Sequence, residues 1–154
     1  MARITKAQRE KNFQSYNALI LEIFLNEGWE HVTYDRLSKE TGLRKSTLQG
    51  YYPSNANFDV AIKGKVFPIL IQRLDFSNKE TLLASWQRSL QHHQFRMIMR
   101  MFIMQAYKKG GESSSRVVGL GQILEQKLPN EDALHLIRVL FGLTVTDLLG
   151  ISKL

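Results

Sequence analysis

The chain contains no cysteine, so disulfide staples and thiolate chemistry are excluded, and a reducing compartment is allowed without being required. It holds only three prolines, Pro53, Pro68 and Pro129, each of which punctuates an otherwise helix-compatible pattern. Long apolar runs are missing. The longest, Val139 to Val145, includes Gly142 and Thr144 and falls far below the roughly 20 residues of a membrane-spanning helix. The opening residues Met1-Ala2-Arg3-Ile4-Thr5-Lys6 carry no apolar segment of the secretion-signal kind. A cytoplasmic protein is the expectation. Catalytic constellations are lacking as well: there is no glycine-rich phosphate loop, no serine or cysteine nucleophile motif, and no pair of histidines on one helix face. His92 and His93 are adjacent, and helix neighbours point apart. The expectation is a non-enzyme with neither metal nor cofactor.

Acidic residues are in short supply: 14 Asp+Glu stand against 21 Lys+Arg, giving a net charge of +7 and a sequence pI of about 9.8. That balance favours a polyanionic partner. It does not say where the partner binds, because residues 1–76 carry 11 basic and 8 acidic side chains and residues 77–154 carry 10 and 6. At 154 residues the chain is long enough for one or two small domains with a real core.

The organising stretch is 33–53. Thr33 is an N-cap candidate whose hydroxyl can take a free first-turn N–H. The following residues suit a helix to Thr41, and Gly42 can adopt the left-handed conformation that ends it. A second helix is expected from Lys45 to Tyr52, stopped by Pro53. Leu37, Leu43 and Leu48 are spaced to meet across the turn. That leaves Lys45, Ser46, Thr47, Gln49 and Tyr51 outward, a short polar set with one cation that suits a helix entering the DNA major groove. Thr47 and Gln49 are candidate base readers, since glutamine can pair with adenine and the threonine methyl can touch thymine. Lys45 is either a base or phosphate contact or a solvated surface charge. Thr33 and Tyr34 open the first helix, whose N-terminus favours a phosphate, and Tyr34 is either such a contact or plain surface.

The segments Gly28-Trp29-Glu30-His31-Val32-Thr33, Leu37-Ser38-Lys39-Glu40-Thr41-Gly42-Leu43, Ser46-Thr47-Leu48 and Tyr51-Tyr52-Pro53-Ser54 together resemble the N-terminal domain of the TetR family of bacterial transcriptional regulators. The resemblance covers about residues 10–65 and does not extend into the C-terminal half. It implies that Tyr51 donates to a phosphate. Asn55 stands where the family often has a lysine meeting a phosphate, and Arg44 replaces a small polar residue, losing a cap and adding a cation at the groove edge. Gly50 removes a side chain where relatives often carry histidine. The resemblance also implies a homodimer on double-stranded DNA, with the last two helices pairing across a two-fold axis.

Elsewhere the pattern is helical throughout, so the fold class is all-α. Residues 1–11 are a basic lead, either a frayed end or an arm touching phosphates. Phe13, Tyr16, Ile20, Ile23 and Phe24 place a first helix ending near Glu27, with Gly28 as its C-cap. A long helix is expected over about 55–74, kinked at Pro68, the kink being either a joint or a passive bend. Ser77 and Glu80 form a capping-box pattern for a helix to Leu90. Residues 94–108 are apolar nearly all round and should be central. In that region Trp86, Met97, Met101 and Met104 are candidates to line a pocket for a small apolar effector, with flexible core filling as the alternative. Residues 108–115 read as a loop. A helix over 117–128 contains Gly119 and Gly121, and Asn130, Glu131 and Asp132 cap a last helix to Gly150.

That last helix has two apolar stripes. Leu134, Ile137, Phe141, Val145 and Leu148 form one, the candidate dimer interface; Leu136, Leu140, Leu143 and Leu149 form the other. A thin domain cannot cover both. The resulting organisation is a helix-turn-helix DNA-binding domain at 1–54, with its motif at 33–52, followed by a connecting, dimerisation and effector domain at 55–154. The function expected is a transcriptional regulator, most simply a repressor on a near-palindromic operator. A nucleoid-binding or cell-division factor on the same scaffold is the alternative.

Overall fold

The computed structural model describes residues 3–109 and 114–151, all helix and connecting turn with no strand among them. The core of the expected 108–115 loop, residues 110–113, lies outside the described residues. The chain divides into two compact units, Met1–Val66 and Phe67–Leu154.

The first unit begins with α1 (Lys6–Glu27). The basic lead is helical from Lys6, because Thr5 caps it by accepting the Gln8 N–H at 3.0 Å. Gly28 ends α1 at φ 110°, its N–H bonded to the Phe24 carbonyl. A short 3-10 turn, Trp29–His31, then sets the Trp29 ring edge-on to Phe24 at 5.4 Å. Helices α2 (Tyr34–Thr41) and α3 (Lys45–Tyr51) follow. Ile20, Phe24, Leu37, Leu48 and Tyr52 are fully buried and Phe58 nearly so. Those side chains hold against α1 two short helices, α2 and α3, that could not persist alone.

The structure corrects the expected long helix over 55–74. Asn55–Ala61 is a 3-10 segment opened by a Ser54–Asn57 capping box, and the chain then turns through Gly64 at φ 75°, a left-handed conformation open to glycine. Helix α4 (Val66–Ile71) starts after that turn. Pro68 therefore sits in the first turn of α4, where a missing N–H has no intrahelical acceptor to lose. It kinks no long helix, and the boundary between the two units falls just before it, at Val66 and Phe67.

The second unit holds α5 (Lys79–Ser89), α6 (His93–Lys109), α7 (Ser115–Lys127) and α8 (Ala133–Leu148). The α5 cap lies one residue beyond the expected one: Asn78, not Ser77, accepts the Thr81 N–H, while Ser77 donates to Asp75. Asp132 caps α8 through the His135 N–H at 3.1 Å. The core of the unit is Leu82, Trp86, Phe95, Ile98, Met99, Leu124 and Leu140. An ion pair between Arg96 and Asp147 joins α6 to the end of α8. Helices α7 and α8 approach closely where Gly121 faces Ile137; a Cβ at Gly121 would lie 3.3 Å from the Ile137 Cδ1.

Candidate nucleic-acid interface

Two local devices build the site. Thr33 accepts the Arg36 N–H at 3.1 Å and starts α2. Gly42, at φ 73°, ends α2 with its N–H on the Ser38 carbonyl. The turn is tightened by Ser38, whose hydroxyl donates to the Leu43 carbonyl at 2.6 Å. Arg36 then ties α2 back to α1 through Glu27 at 3.1 Å and pairs with Glu40 on its own helix.

With Leu37 and Leu48 fully buried, the remaining faces of α3 must point to solvent. Arg44, Lys45, Ser46, Thr47 and Gln49 are all exposed, Tyr51 is half-buried and Thr33 is exposed. No side chain caps α3 at Arg44. The exposed row is one apolar anchor away from the core and otherwise polar, with two cations at its beginning. Its dimensions and chemistry suit base edges in a major groove.

Tyr34 does not join that surface. It is buried, its hydroxyl donates to the Tyr52 carbonyl, and its ring meets Phe58 at 4.9 Å. The phenol is already committed, so Tyr34 braces α2 against the end of α3 instead of meeting a phosphate. Lys45 crosses the outer face of the same ring, its Nζ 5.5 Å from the centroid, a cation–π contact that keeps the ammonium at the start of α3. Tyr34→Phe is expected to lower stability by about 1–3 kcal/mol through the orphaned carbonyl, read in urea unfolding, and to leave the salt dependence of any duplex binding unchanged.

Tyr52 is buried too, donating to Asn17 Oδ1 at 2.6 Å. Burial pushes its phenol well above the ordinary tyrosine range, with Tyr16 and Tyr51 adding to the shift. Burial likewise raises Tyr16. Both remain neutral donors at ordinary pH. At the start of α1, Arg3, Lys6 and Arg9 line an open groove.

The chain is similar in sequence to known proteins. The model of the family described as "Tetracycline repressor LuxT C-terminal domain" matches residues 63–148, more than half of the chain. The chain belongs to the TetR family. The match begins just beyond the helix-turn-helix, so it is independent of the motif that first suggested the family. A curated relative, the nucleoid occlusion factor SlmA of Glaesserella parasuis serovar 5 (strain SH0165), is 28% identical over 106 residues, covering 69% of this chain and 49% of that protein. The chain thus spans about half the length of the curated relative it matches.

Within this TetR-family chain the other nominated residues fall as follows. Trp86, Met97 and Met101 are buried and Met104 is half-buried. The Trp86 indole N–H is satisfied by Thr144 Oγ1 at 2.9 Å, and its ring lies edge-on to Phe95 at 5.2 Å. Trp86, Met97 and Met101 belong to the core, which methionine fills well because it is flexible. On α8 the structure separates the two stripes: Leu136 and Leu140 are buried, whereas Leu134 and Val145 are 55% and 39% exposed. Ile137, Phe141 and Leu148 are half-buried. Within the stripe nominated for a partner copy, Leu134 and Val145 are outward, whereas Ile137 faces Gly121 of α7 and the Phe141 ring lies 6.3 Å from that of the buried Trp86. Leu149, placed on the second stripe from the sequence, is 68% exposed, because α8 ends at Leu148 and the stripe does not continue past it. Among the described residues no helix is long and apolar enough to cross a membrane.

Sequence reasoning missed Arg9 and Asn12. Arg9 Nη2 donates to the Gly50 carbonyl at 2.6 Å, and Asn12 Nδ2 donates to the Tyr51 hydroxyl at 3.3 Å. The signal was available: Arg9, Asn12, Phe13 and Tyr16 follow the i, i+3, i+4, i+7 spacing of one helix face.

Proposed function

We propose that the chain is a DNA-binding transcriptional regulator that works as a homodimer and presents two copies of α3 to successive major grooves of a near-palindromic duplex. One observation carries the reading: Leu48 is wholly buried while Arg44, Lys45, Ser46, Thr47 and Gln49 are all exposed. In this reading Thr47 and Gln49 meet base edges, Lys45 and Arg44 meet phosphates or base edges, Ser46 adds a short hydroxyl donor, and Tyr51 donates to a phosphate. Thr33 stays at the duplex edge as the cap of α2. The stripe of α8 that carries Leu134 and Val145 supplies the contact between copies, as expected of an apolar face that a single copy cannot cover.

A salt titration of duplex affinity tests the proposal. Affinity should fall steeply with salt as counterions are released. Lys45→Ala should lower affinity and reduce the salt slope by about one per subunit, about two for the dimer. A wild-type slope near zero sinks the reading. The match to a nucleoid occlusion factor favours a second reading, in which the dimer binds DNA at scattered chromosomal sites without controlling a promoter. Genome-wide occupancy separates the two, as a few promoter peaks or as many dispersed ones.

A further inference from the structure

The face of α1 formed by Arg9, Asn12, Phe13 and Tyr16 packs around Tyr51 at the C-terminal end of α3, and Phe13 also meets the buried Tyr52 ring at 5.5 Å. The Arg9 guanidinium carbon lies 4.4 Å from the centre of the Tyr51 ring. Phe13 stacks on that ring at 6.4 Å with an interplanar angle of 11°, and Tyr16 meets it edge-on at 5.1 Å. The same guanidinium donates to the Gly50 carbonyl. The end of α3 requires such help. Gly50 is a poor helix former, the helix has only seven residues, and no side chain caps its start.

The hydrogen bonds also have a direction. Gln8 Nε2 donates to Asn12 Oδ1 at 2.9 Å, which occupies the amide oxygen and turns the amide nitrogen toward Tyr51. Tyr51 therefore receives a hydrogen bond on its oxygen, and its own proton is left for an outside acceptor.

We propose that this face of α1 is a cradle that sets the end of the recognition helix and makes Tyr51 an outward-directed hydrogen-bond donor, with Arg9 as a positioning residue and not a phosphate contact. The Tyr51 part rests on the DNA-binding reading above; the Arg9 part concerns the free protein and stands without it. A planar guanidinium can lie on a ring and donate to a carbonyl together, whereas an ammonium of equal charge cannot do both.

Arg9→Lys separates the roles because it keeps the charge and removes the cradle. In the free protein, amide hydrogen exchange at Tyr51 and Tyr52 should accelerate about tenfold. Adding Gly50→Ala, whose Cβ would meet nothing within 4 Å, should restore much of the protection by strengthening the helix itself. Duplex affinity of Arg9→Lys should fall about tenfold with the salt slope unchanged. Unchanged exchange in Arg9→Lys overturns the cradle. So does wild-type affinity in Arg9→Lys combined with a slope reduced by about one per subunit, about two for the dimer, in Arg9→Ala, which would make Arg9 a phosphate contact. If no form of the protein binds duplex, the DNA-binding reading fails, and the exchange experiment still decides whether Arg9 positions α3.

Discussion

Trp86→Ala is expected to cost about 3–5 kcal/mol of folding stability, enough to remove a large share of the roughly 5–15 kcal/mol that a domain possesses. Trp86 is wholly buried, and two further rings, Phe95 and Phe141, lie at 5.2 and 6.3 Å. Truncation leaves a cavity the size of an indole between α5, α6 and α8. It also strips a donor from Thr144, whose own hydroxyl continues to bond the Leu140 carbonyl at 2.8 Å. Trp86→Phe should lose less, because most of the ring volume is kept. Urea unfolding of both variants checks this: the midpoint should fall with little change in slope. A loss below about 1 kcal/mol for the alanine variant would mean the second unit is held together elsewhere.

The second large effect is on assembly. Leu134→Glu with Val145→Glu places two carboxylates on exposed positions of α8. In a single copy these positions are 55% and 39% exposed, and a Cβ at neighbouring Gly142 would meet nothing within 4 Å, so the subunit fold should survive. In a dimer the same carboxylates would be forced from water against apolar surface. The variant should sediment as a monomer with unchanged helical circular dichroism. Its duplex affinity should drop by about 100-fold or more, since two half-sites no longer act as one ligand. A dimer of undiminished stability would place the interface on another face. Leu136→Glu, on the buried stripe, should instead unfold the chain.

Much of this was legible in the residues. Thr33 and Gly42 define α2 because a hydroxyl cap and a left-handed glycine are local devices that need no tertiary context. Gly28 and Asp132 work the same way, and the buried Leu37 and Leu48 follow from helical spacing. The failures arose where tertiary context decides. Apolar spacing over 55–74 read as one helix, yet Gly64 could end it, and Pro68 then fell in a first turn where it is harmless. Tyr34 occupies a polar-looking position at the start of a helix, but its ring is drawn inward by Phe58 and its hydroxyl by a buried carbonyl. The two stripes of α8 were visible, and only packing against α7 and α5 could say which of their residues remain outside. The cradle on α1 was hidden because its partner, Tyr51, lies some forty residues away.

Selection from a pool of random duplexes tests the central claim most directly, because it asks at once whether the protein reads DNA and whether it does so as a symmetric pair. The account predicts enrichment of one near-palindromic sequence whose half-sites lie about one helical turn, roughly 10 base pairs or slightly more, apart. No enriched sequence, together with no duplex retained at low ionic strength, would contradict it.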